Sequence, residues 1–424
     1  MNYPDSVHFL YALGNEIKTA KFGLERIRAL LTALGNPQDH LSIVHVAGTN
    51  GKGSTCAMIE AGFRDAGLRT GLYTSPHLAE PTERIRIAGH PVSTERFTDA
   101  FNRVHAVVEQ QLARGAIDLH TTYFETVTAM AFLIFAEQGV ERVVLEVGLG
   151  GRLDATNVVR PALAVITPID FDHEAYLGRA IESIAAEKAG ILKSAVPAVF
   201  ARQRPEAARV LEARAAELGI PVARAADWRV DHLALDARGS SFELTGPAPL
   251  SIRCPLAGEH QVENAMTAAL ALARSGVDRR SIEAGIAAAQ WPGRLEHVRE
   301  RPTIVLDGAH NPAAARALAQ YITRFYAGRR LHLIFGIMRD KAAAEIAGIL
   351  FPLAWRVIVT APKQPRALAP ETLRTVADHS NLQSVPTLEA ALRKVDDATD
   401  DDAIFITGSL FLVAEARALL LPNP

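Results

Sequence analysis

Short runs of β-branched and aliphatic residues recur along this chain, separated by stretches long enough to hold a helix. The first half carries "IVHVAG", "RTGLYTS", "RVVLEVG", "LAVITPI" and "VPAVFA"; after a gap come "TIVLDGA", "LHLIFG", "RVIVTA" and "AIFITGS". Runs this continuously apolar read as strands buried on both faces, a property of parallel sheets. Between them, segments such as "CAMIEAGFRDAG" and "TVTAMAFLIFAEQG" space apolar residues three and four apart, as helices covering such a sheet do. The expected class is α/β. A different texture interrupts around residues 227–256, where "WRVDHLALDARGSSFELTGPAPLSIRC" alternates apolar and polar positions between Gly and Pro turns. That pattern predicts a small β insertion.

At 424 residues the chain exceeds what one core supports, and "AQWPGRLEHV" at 289–298, with its Pro-Gly pair, reads as a linker before a fresh set of strands. Two domains are expected, 1–294 and 295–424. An apolar share of 49% with 22% charged residues fits a folded protein. No apolar run reaches the ~18 residues of a membrane span, and the N-terminus lacks the pattern of an export signal, so cytoplasm is the expected location. A net charge of -2 without a basic run gives no reason to expect a nucleic-acid or anionic-membrane partner. The two cysteines, Cys56 and Cys254, have no metal-ligand or disulfide spacing and read as small core residues.

The stretch "SIVHVAGTNGKGST" leaves a strand for Gly48-Thr49-Asn50-Gly51-Lys52-Gly53-Ser54 and restarts as a helix at Thr55. Glycine lets the backbone turn its N–H groups toward one point and lets phosphate oxygens approach closely. The helix N-terminus adds positive potential, Lys52 can reach terminal phosphates, and Ser54 or Thr55 can offer a hydroxyl to magnesium. The loop predicts a phosphate cradle. Its spacing departs from the strict GxxxxGK[ST] pattern, because Val46 stands at the first glycine position and Gly53 separates lysine from hydroxyl.

"GTNGKGST", followed by "YTSPHL", "LEVGLGGRLDATN", "DHEAYLG", "AAEKAGI", "HQVENAMTA", "WPGRLE", "LDGAHNP", "FGIMRDK" and "TGSLFLVAEA", resembles the folylpolyglutamate synthases and bacterial dihydrofolate synthases of the Mur ligase superfamily. The resemblance runs from about residue 18 to the C-terminus. It implies an N-terminal P-loop domain with a mostly parallel sheet and a smaller C-terminal Rossmann-like glutamate-ligase domain that closes over the nucleotide. It implies a ligase that uses ATP and Mg2+ to join L-glutamate to the carboxylate of dihydropteroate or of a folate; "TTYFE" and "RLDATN" resemble the bifunctional bacterial type, so both activities are expected. A carboxylate must first take a phosphoryl group and become an acyl phosphate, a transfer that depends on charge neutralisation and alignment.

By that similarity, Thr49, Asn50, Gly51, Lys52, Gly53 and Ser54 bind ATP, together with Asn264, Arg294 and Asp307. Ser54, Ser75, Glu146 and His173 are the metal-side residues, on two expected Mg2+ sites. Glu146 could instead pair with Arg142 or Arg152, and His173 is an unusual magnesium ligand. Lys188 resembles the family lysine that CO2 converts to N6-carboxylysine, although a surface ion pair with Glu187 or Glu182 also fits. His310, with Lys52 and Lys188, is expected to take part in catalysis. His310 and Ser409 are placed near the incoming glutamate, Ser409 being equally readable as a helix N-cap. For the pterin-bearing substrate the similarity points to Lys21, Phe22, Gly23, Thr122, Phe124, Asp154 and Ala155. Phe124 can equally be core, and Asp154 can be a turn former or a carboxylate that accepts from the amino-pyrimidine edge.

Two other readings stay open at this point: a Mur-type ligase acting on a cell-wall precursor, and a P-loop switch without ligase activity. The first fits poorly with Gly53 after the lysine, the second with the strand-rich C-terminal part. Small-molecule substrates and a monomer are expected.

Overall fold

A computed structural model describes residues 1–14, 23–246, 249–376 and 378–421. The chain divides into two compact units. The first comprises 1–231, 243–252 and 263–289; the second comprises 232–242, 253–262 and 290–424.

The first unit is built on an eight-stranded sheet of β1 (Ile43–Ala47), β2 (Thr70–Tyr73), β3 (Ile85–Ile87), β4 (His90–Pro91), β5 (Arg142–Glu146), β6 (Leu163–Ile166), β7 (Ala198–Phe200) and β8 (Val222–Arg224), in the order β4-β3-β2-β5-β1-β6-β7-β8. The six strands from β2 to β8 in that order pair parallel, and β3 and β4 extend the edge antiparallel. All five residues of β1 are buried, which is why the sequence there is continuously apolar apart from His45.

Two apolar layers cover the sheet. One gathers the Thr94–Ala113 and Tyr123–Glu137 helices, the other the Ile181–Ala189 and Pro205–Leu218 helices. The Thr94–Ala113 helix buries Phe97, Ala100, Phe101, Val104 and Val108, one stripe at helical spacing. The Tyr123–Glu137 helix is buried from Tyr123 through Phe135; enclosing Phe132 and Phe135 contributes roughly 1.5–3 kcal/mol each. Two helix glycines, each costing about 1 kcal/mol against alanine, permit a close crossing. A Cβ on Gly285 would stand 2.4 Å from the Gly62 Cα, so the Arg279–Ala287 helix presses directly onto the Lys52–Asp65 helix.

The expected insertion is present as a three-stranded sheet, β9 (Arg229–Leu235), β10 (Ser240–Thr245) and β11 (Leu250–Cys254), in the order β11-β10-β9. Burial alternates residue by residue along β10 and β11, as the alternating sequence requires. The second unit holds a six-stranded sheet of β12 (Glu296–Glu300), β13 (Thr303–Asp307), β14 (Leu331–Phe335), β15 (Arg356–Val359), β16 (Leu382–Ser384) and β17 (Ala403–Thr407), ordered β12-β13-β17-β14-β15-β16. All its pairings are parallel except that of β12 with β13. Cys56 and Cys254 are buried and unbridged, as the sequence predicts. Among the described residues no helix is long and apolar enough to cross a membrane.

Candidate active site

β1 ends at Ala47, and after four intervening residues the Lys52–Asp65 helix begins. The connection works only with glycine at two points. Gly48 has φ +152°, and a Cβ there would lie 1.8 Å from Thr167 Oγ1; Gly51 has φ +80°, and a Cβ would lie 2.1 Å from Asn264 Oδ1. Asn264, on the His260–Arg274 helix, therefore stands against the glycine loop, 213 positions along the chain. Gly51 caps the helix without any side-chain cap, and the helical ladder opens with the Thr55 N–H donating to Gly51 O at 2.9 Å. The first-turn amides of Lys52, Gly53 and Ser54 precede that ladder, which is the donor set a helix N-terminus offers an anion. Replacing Gly51 by alanine combines a left-handed backbone penalty of ~1–2 kcal/mol with displacement of Asn264; the Tm should fall by roughly 2–8 °C in thermal denaturation.

The loop departs from the expectation that all its N–H groups turn toward one point. Thr49 and Asn50 donate to the Pro168 carbonyl at 3.0 and 3.2 Å. Their amides are partly buried and need acceptors, and β6, the immediate neighbour of β1, delivers the Pro168 oxygen just past its end. Thr49 Oγ1 bonds the Asp170 backbone as well, donating to its carbonyl at 3.0 Å. Of the two hydroxyls considered for magnesium, Thr55 is fully buried and Ser54 nearly so.

Two amines meet over this loop. Lys52 Nζ donates to Gly48 O and Thr49 O, both at 3.2 Å, and Lys188 Nζ donates to the same Gly48 O at 2.8 Å. Lys188 comes from the Ile181–Ala189 helix and is 4% exposed. Burial, then the charge of Lys52, pull its pKa down to about 7, against the opposing pull of Asp172, Asp154 and Glu187. The surface ion pair suggested by its sequence neighbours does not form: Glu187 pairs with Arg152 at 2.9 Å.

Ser75 follows β2, Glu146 ends β5, Ser54 opens the helix after β1 and His173 follows β6. Those four strands are adjacent and parallel in the order β2-β5-β1-β6, so the four residues succeed one another along the carboxyl edge of the sheet, where open α/β sheets hold ligands. The Glu146 carboxylate is buried and accepts the Ser75 N–H at 2.9 Å, while Arg152 pairs with Glu187 and Arg142 donates to Glu141 O. His173, half-buried with φ +52°, sits 3.8 Å from Asp172.

The substrate-side residues divide. Lys21 and Phe22 lie outside the described residues. Gly23 precedes the Glu25–Ala33 helix, whose Arg26 pairs with Glu125 at 2.9 Å and so ties that helix to the start of the Tyr123–Glu137 helix. Thr122 is the N-cap there, reciprocally bonded with Glu125. Phe124 is 7% exposed and packs on the loop that follows β5, where a Gly148 Cβ would meet its ring at 2.6 Å. Asp154 is buried with both oxygens in use. Oδ2 accepts the Leu149 N–H at 2.8 Å, and Oδ1 accepts the N–H and hydroxyl of Thr156 at 3.0 and 2.5 Å. Burial raises its pKa against those bonds. Ala155 is buried beside it. Gly151 presses that loop onto Lys188, its Cβ position 3.1 Å from the Lys188 Cα.

In the second unit, Arg294, Asp307 and His310 cluster at the carboxyl end of β13. Asp307 accepts from the Leu295 and Ala309 amides at 2.9 and 3.0 Å; burial raises its pKa while Arg294 opposes. A Cβ on Gly308 would be 2.6 Å from an Arg294 guanidinium nitrogen, and His310 Nδ1 is 2.8 Å from Gly308 O. Ser409 follows β17, the strand beside β13, and is a helix N-cap whose Oγ accepts the Phe411 N–H at 3.2 Å.

Sequence reading missed Thr167, Pro168 and Asp172. "ITPIDFD" carries a local hint, a strand running into Thr-Pro and two aspartates, but its relevance depends on β6 lying next to β1.

Two family models cover most of the chain: the Mur ligase middle domain matches residues 46–272, and the glutamate ligase domain of Mur ligases matches 293–410. The dihydrofolate synthase/folylpolyglutamate synthase of Mycobacterium tuberculosis is 38% identical over 95% of this chain and 90% of its own length. That of Bacillus subtilis is 37% identical over 94% and 95%. The crystal structure of the Mycobacterium tuberculosis folylpolyglutamate synthase complexed with ADP and AMPPCP superposes with a TM-score of 0.92 at 36% identity, covering both chains fully. The E. coli FolC complex with DHPP and ADP gives 0.89 at 33% identity, over 99% and 97%. The chain belongs to the Mur ligase family, among its dihydrofolate and folylpolyglutamate synthases.

Proposed function

We propose that this chain is an ATP-dependent acid–amino-acid ligase that joins L-glutamate to the carboxylate of dihydropteroate and to the γ-carboxylate of folates. The observation that carries this reading is the convergence of Lys52 and Lys188 on one glycine carbonyl of a strand–loop–helix cradle, in a chain akin to named synthases along its length.

In this reading the first-turn amides and Lys52 hold the β- and γ-phosphates, and Asn264 fixes the loop through Gly51. The substrate carboxylate attacks the γ-phosphorus in line, giving an acyl phosphate and ADP; the amine of glutamate then attacks the acyl carbon, loses a proton and expels phosphate. The buried Glu146 carboxylate, aligned along one sheet edge with Ser54, Ser75 and His173, fits a hard divalent cation. A Mg2+ ion held by these residues would supply neutralisation of the phosphoryl charge. Lys188, with its pKa near 7, has a large neutral fraction at physiological pH, the state in which an amine adds CO2; as N6-carboxylysine it would supply a carboxylate for a second ion. Thr122, Phe124, Asp154 and Ala155, with Lys21 to Gly23, are assigned to the pterin-bearing substrate. Asp154 acts there by holding the 149–156 loop, since its oxygens already serve that loop. Arg294 and Asp307 are assigned to ATP, and His310 and Ser409 to glutamate. We assign residues 1–294 to the ATP-binding P-loop domain and 295–424 to the glutamate-ligase domain, which adds Asp307 to the nucleotide site, in a cytoplasmic monomer.

Purified protein with ATP, Mg2+ and L-glutamate should release phosphate when given dihydropteroate and, in a separate tube, tetrahydrofolate. Release with one substrate alone would restrict the proposal to that activity. A blank with both would remove it.

A further inference from the structure

Remote in sequence from the glycine loop, the Thr94–Ala113 helix carries His105 and Glu109 four residues apart, beside the buried Val104 and Val108. That spacing puts both side chains on one flank of the helix. His120, in the segment entering the Tyr123–Glu137 helix, reaches the same place. One donor atom from each of the three lies within 4.8 Å of the others. The Glu109 carboxylate is 3.8 Å from His105 Nδ1 and 3.7 Å from His120 Nε2, too long for hydrogen bonds.

His120 presents a lone pair to this point, and His105 presents an unpartnered ring nitrogen. His120 Nδ1 is 2.9 Å from the Thr121 carbonyl, which can only accept, so the proton sits on Nδ1 and Nε2 is bare. His120 Nε2 and His105 Nδ1 are both shielded from solvent, and neither has a hydrogen-bond partner among the described residues. Leaving such nitrogens unpaired is costly, and a backbone carbonyl that fixes the tautomer is a common second partner of a metal-bound histidine. Ring packing holds the orientation: His105 stacks on Phe101 at 5.6 Å and 8°, and Phe9 meets His105 at 4.7 Å and His120 at 5.5 Å.

We propose that His105, Glu109 and His120 form a site for a transition-metal ion of the Zn2+ class, with three protein ligands and one position open to water. Two imidazoles and one carboxylate suit Zn2+ better than Mg2+, which separates this site from the magnesium chemistry of ligation. Bonds of about 2.0–2.2 Å in tetrahedral geometry require donors roughly 3.3–3.5 Å apart. The two Glu109 distances need to shorten by only a few tenths of an ångström, within reach of a rotamer change of this half-exposed side chain, and the two histidine donors, no more than 4.8 Å apart, close the rest by small ring movements. The ion would staple the Thr94–Ala113 helix to the segment leading into Thr122 and Phe124.

Full-length protein in excess Mg2+ should bind one Zn2+ per chain in equilibrium dialysis, rise in Tm on Zn2+ addition, and show visible bands of four-coordinate Co2+ when Co2+ is used instead. His105→Phe preserves the stacking on Phe101, and it and His120→Asn should abolish the Co2+ bands. Glu109→Gln, at an exposed position where the fold is not at risk, should weaken Zn2+ binding at least about ten-fold. Stoichiometry well below one, or Zn2+ affinity and Co2+ bands unchanged in His105→Phe and Glu109→Gln, would overturn the proposal.

Discussion

Lys52→Ala should lower kcat/KM for glutamate ligation by about 10²–10³ while leaving the fold intact. The magnitude follows from removing one preorganised cation aimed at charge that develops on a transferring phosphoryl group, a loss of roughly 3–4 kcal/mol. The fold should persist because, among the described residues, Lys52 Nζ hydrogen-bonds only within its own loop, to Gly48 O and Thr49 O, and alanine is a better helix former at the first turn. A second effect distinguishes this mechanism from simple loss of nucleotide affinity. The Lys52 charge is one of the causes holding the Lys188 pKa down, so in the variant Lys188 should titrate at higher pH. Steady-state kinetics paired with the pH dependence of amine carbamylation, followed with labelled CO2, reads both. Full activity in Lys52→Ala would sink the assignment of the loop as the phosphate site.

How much of this was legible in sequence depended on whether the informative residues were neighbours along the chain. The central strands were readable because burial on both faces leaves them no polar positions, as in β1, β13 and β17. β3, β4, β8, β12 and β16 went unread. They are two to five residues long and not fully buried, and "HP" or "EHVRE" become strands only through the partner that pairs with them. The glycine loop was legible because its chemistry is local. The Pro168 carbonyl that ties down two of its amides was not, since nothing in either segment says that β6 pairs with β1 across about 120 positions. Ser409 illustrates the opposite case. Its N-cap geometry was readable from "TGSLFL" alone and is what the structure contains. For Lys188 the local reading misled: two glutamates nearby suggested an exposed ion pair, but the helix turns that face inward and Glu187 goes to Arg152 instead. The His105, Glu109 and His120 cluster escaped notice because an i, i+4 His–Glu pair is common on helices and its third member comes from a different element.

Lys188→Met should abolish ligation, by 10²-fold or more, and at the same time stabilise the protein below pH 9. The buried amine titrates near 7 in the fold and near 10.5 when exposed, so the fold disfavours the charged form. That penalty is absent above pH 10.5, grows as pH falls, and is complete below pH 7, where it amounts to ~5 kcal/mol at most. Methionine keeps the aliphatic stem, carries no charge and escapes the penalty, so the variant's Tm should exceed that of the wild type by a margin that widens from pH 9 to pH 7 and then levels off. Bicarbonate supplies the discriminating arm. Carboxylation turns this amine, mostly neutral at pH 8, into an anion next to the Lys52 cation, so added bicarbonate should raise both activity and Tm of the wild type at pH 8 and change neither in Lys188→Met. Lys188→Ala, which leaves room for a small acid, should regain part of its activity with acetate or formate. Retention of ligase activity in Lys188→Met would show that the amine is a structural donor to Gly48 and nothing more. A flat pH profile of the stability difference would instead mean that Lys188 meets solvent in solution and is not the desolvated group on which carboxylation depends.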